Sequence, residues 1–132
     1  ILFERNQFLN RKKIAEKERE YDLKDEYINL FDFQQKSPVF VRVSGYLENM
    51  NIHRNPIIVV SADNREKNEN LYYTAYNLVE SLPIDENGRI HFDITFGINS
   101  LSENNGLLVY HWNKKKYQVQ GKVNVEIYAV TQ

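Results

Sequence analysis

His91 and Asp93 stand one residue apart in the run Ile90–Phe96 (IHFDITF), a spacing that puts both on the same side of a β-strand. An imidazole beside a carboxylate is an acid–base pair. No Ser or Cys nucleophile motif accompanies it, so an enzyme using His91 and Asp93 ranks last among the functional readings, and no catalytic residue is assigned. The other histidines, His53 and His111, are far away in sequence, no HExxH motif occurs, and the chain has no cysteine. A zinc site needs converging ligands, so no metal site is expected.

The second chemistry is stacking. Tyr110 and Trp112 share one face of the run Leu107–Trp112, and Tyr72 and Tyr76 share one face of Leu71–Leu78. Aromatic rings with a polar tip offer a sugar both an apolar plane and a hydrogen bond. The same rings could instead fill a core. Parity bears on the choice: if Leu107 and Val109 point inward, Trp112 points out. Asp63, Asn64 and Arg65 follow an apolar run, where they could hydrogen-bond sugar hydroxyls or simply form a solvated loop. The ligand-binding candidates are therefore Trp112, Tyr110, Tyr72, Tyr76, Arg65 and Asp63. Lys114-Lys115-Lys116, between Trp112 and Tyr117, could meet a phosphate or an anionic glycan. As a charged hairpin tip it would instead discourage pairing with other chains.

The elements that position these residues read as strands. Val39–Leu47 places Val39, Val41 and Val43 on one face, with Gly45 as a candidate bulge. Pro56–Ala62 is a short continuous apolar run, the pattern of a strand covered on both faces. Ile90, Phe92, Ile94 and Phe96 alternate with polar neighbours, and Val123, Val125, Ile127 and Ala129 do the same at the C-terminal end. Asn87-Gly88 and Asn104-Asn105-Gly106 mark turns. Seven or eight such runs between turn signals predict an all-β, antiparallel β-sandwich over residues 27–132. Residues 1–26 differ: 14 of the 26 are charged, seven of each sign, and Arg11–Glu20 consists mostly of good helix formers without a continuous apolar face. This segment is read as a short charged extension, a solvated helix or a loop.

With 132 residues the chain suits one domain, and its 13% aromatic content favours strands. The net charge of −1 argues against a nucleic-acid surface. No apolar run reaches membrane-spanning length. The chain opens at Ile1 without a methionine, which is read as a piece of a longer protein.

The segment Leu108-Val109-Tyr110-His111-Trp112-Asn113, its Lys-rich turn, Tyr117-Gln118-Val119, and Val123-Asn124-Val125-Glu126-Ile127-Tyr128 resembles the closing strands of carbohydrate-binding-module-like, galactose-binding-like jelly rolls of bacterial membrane and surface proteins. The resemblance covers roughly residues 21–132. It implies a jelly roll, an extracytoplasmic location at the periplasm or cell surface, and a non-catalytic accessory domain of a larger, membrane-anchored or exported protein, with a glycan as ligand. The sequence departs from the family at Gly121-Lys122, where an Asp is common, and its carboxylates do not match the family's structural calcium site. No cofactor is therefore expected. The alternative is a structural or protein–protein interaction domain without a sugar site.

Overall fold

Among the described residues the chain forms eight strands, most of them built on alternating apolar residues: β1 (Arg11–Leu23), β2 (Tyr27–Gln34), β3 (Val39–Glu48), β4 (Ile57–Asn64), β5 (Glu69–Asn77), β6 (Ile90–Ile98), β7 (Asn105–Trp112) and β8 (Val119–Val130). One helical turn, α1 (Leu78–Ser81), follows β5, with the Asn77 side chain accepting from the Val79 amide. The computed structural model describes residues 11–34, 39–51, 53–64, 66–98 and 105–130.

The strands form two four-stranded sheets, in the orders β1-β8-β3-β6 and β2-β7-β4-β5. Pairing joins β1 to β8, β2 to β7, β3 to β6 and β4 to β5, all antiparallel. A single long hairpin, folded over on itself, gives this set of pairs, and it is the jelly-roll form of the β-sandwich. The inner faces meet through Val41, Val43, Leu47, Phe92, Val125 and Ile127 from the first sheet and Ile28, Leu30, Ile58, Val60, Leu107 and Val109 from the second. The expected sandwich is present, and the inward sets predicted for β3 and β6, with Val123, Val125 and Ile127 of the set predicted for β8, pack in or against this core.

Arg11–Glu20, read as a solvated helix or a loop, is a strand, and the first ten residues of the extension lie outside the described residues. Residues Arg11–Leu23 form the 13-residue edge strand β1, paired along its length with β8. A bulge between Lys13 and Ala15 resets the alternation, and from Ala15 onward the odd-numbered residues face the core side, where Tyr21 is buried and Ala15 and Leu23 are partly so. Backbone pairing to a long neighbour outweighs the modest helix preference of Lys, Glu and Arg. The charges have a use in the new setting, since an edge strand rich in Lys and Glu resists pairing with other chains.

Gly45 is not a bulge either: β3 keeps an unbroken register with both β6 and β8 through this residue. Its role is close approach. Its φ is +147°, and a Cβ there would lie 2.0 Å from the Lys122 carbonyl oxygen. The backbones of β3 and β8 approach too closely at this point for any side chain, and the dihedral itself disfavours one. Gly121, the residue that broke the family pattern, serves the same seam, because a Cβ there would meet the Tyr46 carbonyl at 2.5 Å. Gly45→Ala is expected to lower the unfolding free energy by about 3 kcal/mol. Gly97→Ala on β6, whose Cβ would meet only the Phe40 ring at 3.4 Å, should cost about 1 kcal/mol or less. Urea unfolding of the two variants side by side checks this, and equal losses would overturn the close-packed seam.

Candidate functional site

Strand β7 lies between β2 and β4 in the second sheet, and its alternation fixes the site. Leu107, Val109 and His111 are buried inward, while Leu108, Tyr110 and Trp112 are only partly covered. Trp112 therefore points out of the sandwich, as the parity argument requires. Tyr27 and Asn29 of β2 lie opposite Trp112 and Tyr110. On the other side Ile57, Val59 and Ser61 of β4 lie opposite Trp112, Tyr110 and Leu108, and Tyr73 and Ala75 of β5 continue the rows beyond Ser61 and Val59. Directly paired residues share a face. The outer surface of this sheet is thus a continuous field of Tyr27, Trp112, Tyr110 and Tyr73 over a floor of Val59 and Ala75. Val59 is fully buried although it belongs to the outer face, so β4 is covered on both sides, as its apolar run predicts.

Two of the expected aromatics belong elsewhere. Tyr72 and Tyr76 face inward and pack against the core. Tyr73, of the opposite parity, is the outward one, 51% exposed, and Tyr27 is 60% exposed. Sequence reasoning missed both. For β5 the polar–apolar contrast between the two parities is too weak to choose a face. For β2 the obstacle is a bulge between Asn29 and Phe31. It lets Tyr27 point out while Phe31 and Phe33, of the same parity, pack towards the core. Asp63 follows Ser61 on the outer parity but is tied to Asn70, whose Nδ2 donates to Asp63 Oδ1 at 2.8 Å. Arg65 lies outside the described residues.

The rings are arranged against one another. Tyr27 and Trp112 stack with planes 9° apart and centroids 6.3 Å apart, whereas Tyr27 meets Tyr110 edge-on at 5.9 Å. The Lys114 ammonium sits 4.4 Å from the centre of the Trp112 ring, a cation–π contact. Trp112 Nε1 donates to Glu26 Oε2 at 3.4 Å. Tyr110 is pushed up to about 12 by burial, with Tyr73, Tyr27 and Asp63 adding to the shift. A shallow trough of about 400 Å³ is bounded by Tyr27, Asn29, Leu108 and Tyr110.

The acid–base pair is not assembled. Asp93 receives two hydrogen bonds from Arg42, at 2.8 and 2.6 Å, and this guanidinium holds its carboxyl below the ordinary range. His91 instead meets Asp85 at 3.2 Å. Both residues belong to the outer face of the first sheet, where Arg42 also reaches Glu126 at 3.5 Å and Lys13 lies 3.6 Å from the same carboxylate. Among the described residues, no group of three or more His, Asp or Glu is placed to hold a metal ion. No helix among them is long and apolar enough to cross a membrane.

His111 is the one buried histidine, 1% exposed, and its Nδ1 lies 2.9 Å from the Tyr21 hydroxyl. Burial lowers its pKa to about 4.

No family model matches the chain, and no curated protein matches it. Solved structures with a similar arrangement exist. The disulfide-linked pili of Bacillus endospore appendages align over 93% of this chain and 90% of theirs, at 8% identity and a TM-score of 0.48. The acid-stable capsid of the Helicobacter pylori bacteriophage KHP30 aligns over 92% and 94%, at 15% identity and 0.45. A lipoprotein of Bacteroides thetaiotaomicron aligns over 79% and 56%, at 16% identity and 0.37. Likeness at this level does not bear on function.

The buried histidine makes stability depend on pH. Unfolded, an imidazole takes its proton near pH 6.5; folded, His111 takes it only near pH 4. Between these values the unfolded state binds more protons, so stability is full above pH 6.5 and falls as pH drops towards 4. The expected loss is roughly 3 kcal/mol across that window. Urea unfolding at closely spaced pH values checks it: His111→Gln should flatten the curve between pH 6.5 and 4.5, and a slope unchanged in the variant would assign it to other groups.

Proposed function

We propose that this chain is a non-catalytic assembly domain of a larger exported bacterial protein, and that the aromatic face of sheet β2-β7-β4-β5 is its contact surface, taking a second copy of the same domain. One observation carries the reading. The centre of this face, from Tyr27 and Asn29 through Tyr110 and Ser61 to Tyr73, holds no formal charge, whereas Glu26, Asp32, Asp63 and Lys114 stand at its margins. An apolar, Tyr- and Trp-rich centre inside a charged rim is the anatomy of a protein interface. A net charge of −1 leaves little repulsion between copies. The exported location comes from the family resemblance and belongs to this proposal.

A glycan is the second reading, and the trough beside Tyr27, Asn29, Leu108 and Tyr110 favours it, since about 400 Å³ is in the range of small-ligand pockets. Against it, the Trp112 ring already stacks with Tyr27 and carries the Lys114 ammonium, so the flat surface that a sugar would use is partly taken.

Sedimentation equilibrium separates the two. Wild-type protein is expected to dimerise at or below about 1 mM, a modest association of about 4 kcal/mol. The double change Tyr27→Ser and Tyr73→Ser should weaken the dimer about tenfold or more while leaving the unfolding midpoint nearly unchanged, because both rings are more than half exposed. A wild-type chain that stays monomeric throughout that range overturns the homomeric reading. Saturable quenching of Trp112 fluorescence by an oligosaccharide, lost in the Tyr27→Ser change, would establish the glycan in its place.

A further inference from the structure

Beyond the aromatic face, the end of the sandwich holds a second feature. The loop between β3 and β4 and the turn between β7 and β8 close over a cleft lined by Met50, Arg54, His111, Asn113, Lys114, Lys115 and Tyr117 among others. Its interior volume is about 30 Å³. That is room for a small tetrahedral group or one or two waters, and too little for a sugar ring.

Three of its lining residues, Arg54, Lys114 and Lys115, are cationic, and none forms an ion pair among the described residues. They are nevertheless held in place. One Arg54 N–H donates to the Gln118 carbonyl at 2.8 Å, and the guanidinium lies 5.0 Å from the Tyr117 ring centre. A guanidinium has five N–H donors, so most of the fork is available to a ligand. Lys114 is fixed over Trp112. The turn carrying the lysines is clamped by Asn113, whose Nδ2 donates to the Tyr117 carbonyl at 2.7 Å and whose own amide donates to the Glu26 carbonyl at 2.6 Å.

Lys116 closes the turn with φ +56°, a conformation in which Gly or Asn would be less strained. His111, nearly fully buried, forms part of the cleft wall. On the aromatic side, Glu26 is engaged by the Trp112 indole. Three cationic residues without an ion pair among the described residues line one small cleft, and on a chain whose net charge is −1 they concentrate positive potential where a compact anion fits. The fork of Arg54, in a cleft lined also by Lys114 and Lys115, suits the several oxygens and double charge of a phosphate better than the two oxygens and single charge of a carboxylate.

We infer that this cleft is a phosphate-binding site, filled by inorganic phosphate or by a phosphate group carried on a polymer. The inference does not depend on what covers the aromatic face.

The three histidines of the chain provide the readout. Inorganic phosphate is titrated into the protein at constant ionic strength while histidine and amide NMR signals are followed. The His111 ring and the amides of the 113–117 turn should shift saturably, with His91, on the opposite sheet, unmoved. Arg54→Gln and Lys115→Gln should each weaken binding about tenfold, the size of one charge-assisted hydrogen bond. Lys67→Gln, in the turn between β4 and β5, should not. An undisturbed His91 and amide spectrum shows that each variant is folded.

Polyphosphate binding more tightly than inorganic phosphate, with the same dependence on Arg54, assigns the site to a polymer. Equal affinities assign it to the free anion. A shift that does not saturate, that acetate or chloride reproduces, or that survives Arg54→Gln overturns the inference. The Tyr27→Ser and Tyr73→Ser double variant should bind phosphate normally, so failure of the assembly reading and failure of this one are separately visible.

Discussion

A β-strand has two faces and a strict period of two, and in β7 this constraint sets everything else at the site. Leu107 and Val109 complete the core between the sheets. Once they face inward, His111 must follow them, and Leu108, Tyr110 and Trp112 must face out. A slip of one residue would bring Trp112 inside, where the space between sheets is already filled by Ile28, Ile58 and their neighbours. It would also place Leu107 and Val109 in water, at a cost of about 1.5–3 kcal/mol each. The buried histidine and the exposed indole are therefore two consequences of one register. The cleft lined by His111 and the face carrying Trp112 begin at adjacent residues of the same strand.

That constraint also explains what the sequence makes legible. Where apolar and polar residues alternate sharply, as in Val39–Val43, Ile90–Phe96 and Val123–Ile127, the inward face can be read directly, and it is the face that packs. The orientation of Trp112 is readable by the same logic. The signal weakens where both parities are aromatic. In β5, Tyr72 and Tyr76 compete with Leu71 and Tyr73, and β5 has a neighbour on one side alone, so its side chains can be half-covered on either face. In β2 a bulge reverses parity within the strand, and no residue type between Asn29 and Phe31 announces it. β1 is hidden for another reason. Its composition favours helix locally, whereas its strand form depends on the length of β8, whose paired residues lie 96 to 119 positions away in sequence. A non-local partner leaves no periodic trace in a charged segment.

The two outer faces differ in kind, and the difference bears on assembly. Outside the first sheet, Arg42 is paired with Asp93 and Glu126, Lys13 with Glu16 and Glu126, and Tyr128 donates to Glu126 at 2.6 Å. Such pairs add little to stability at an exposed surface. They are, however, costly to strip of water, because each charge would have to find a comparable partner in the new environment. The charged face thus resists burial. The aromatic face does not: its centre carries no charge, and Val59 beneath it is already dry. Covering Tyr27 and Tyr73 would gain apolar burial without desolvating an ion. Of the two broad surfaces of this sandwich, one is built to stay in water, and the other can be covered at little electrostatic cost.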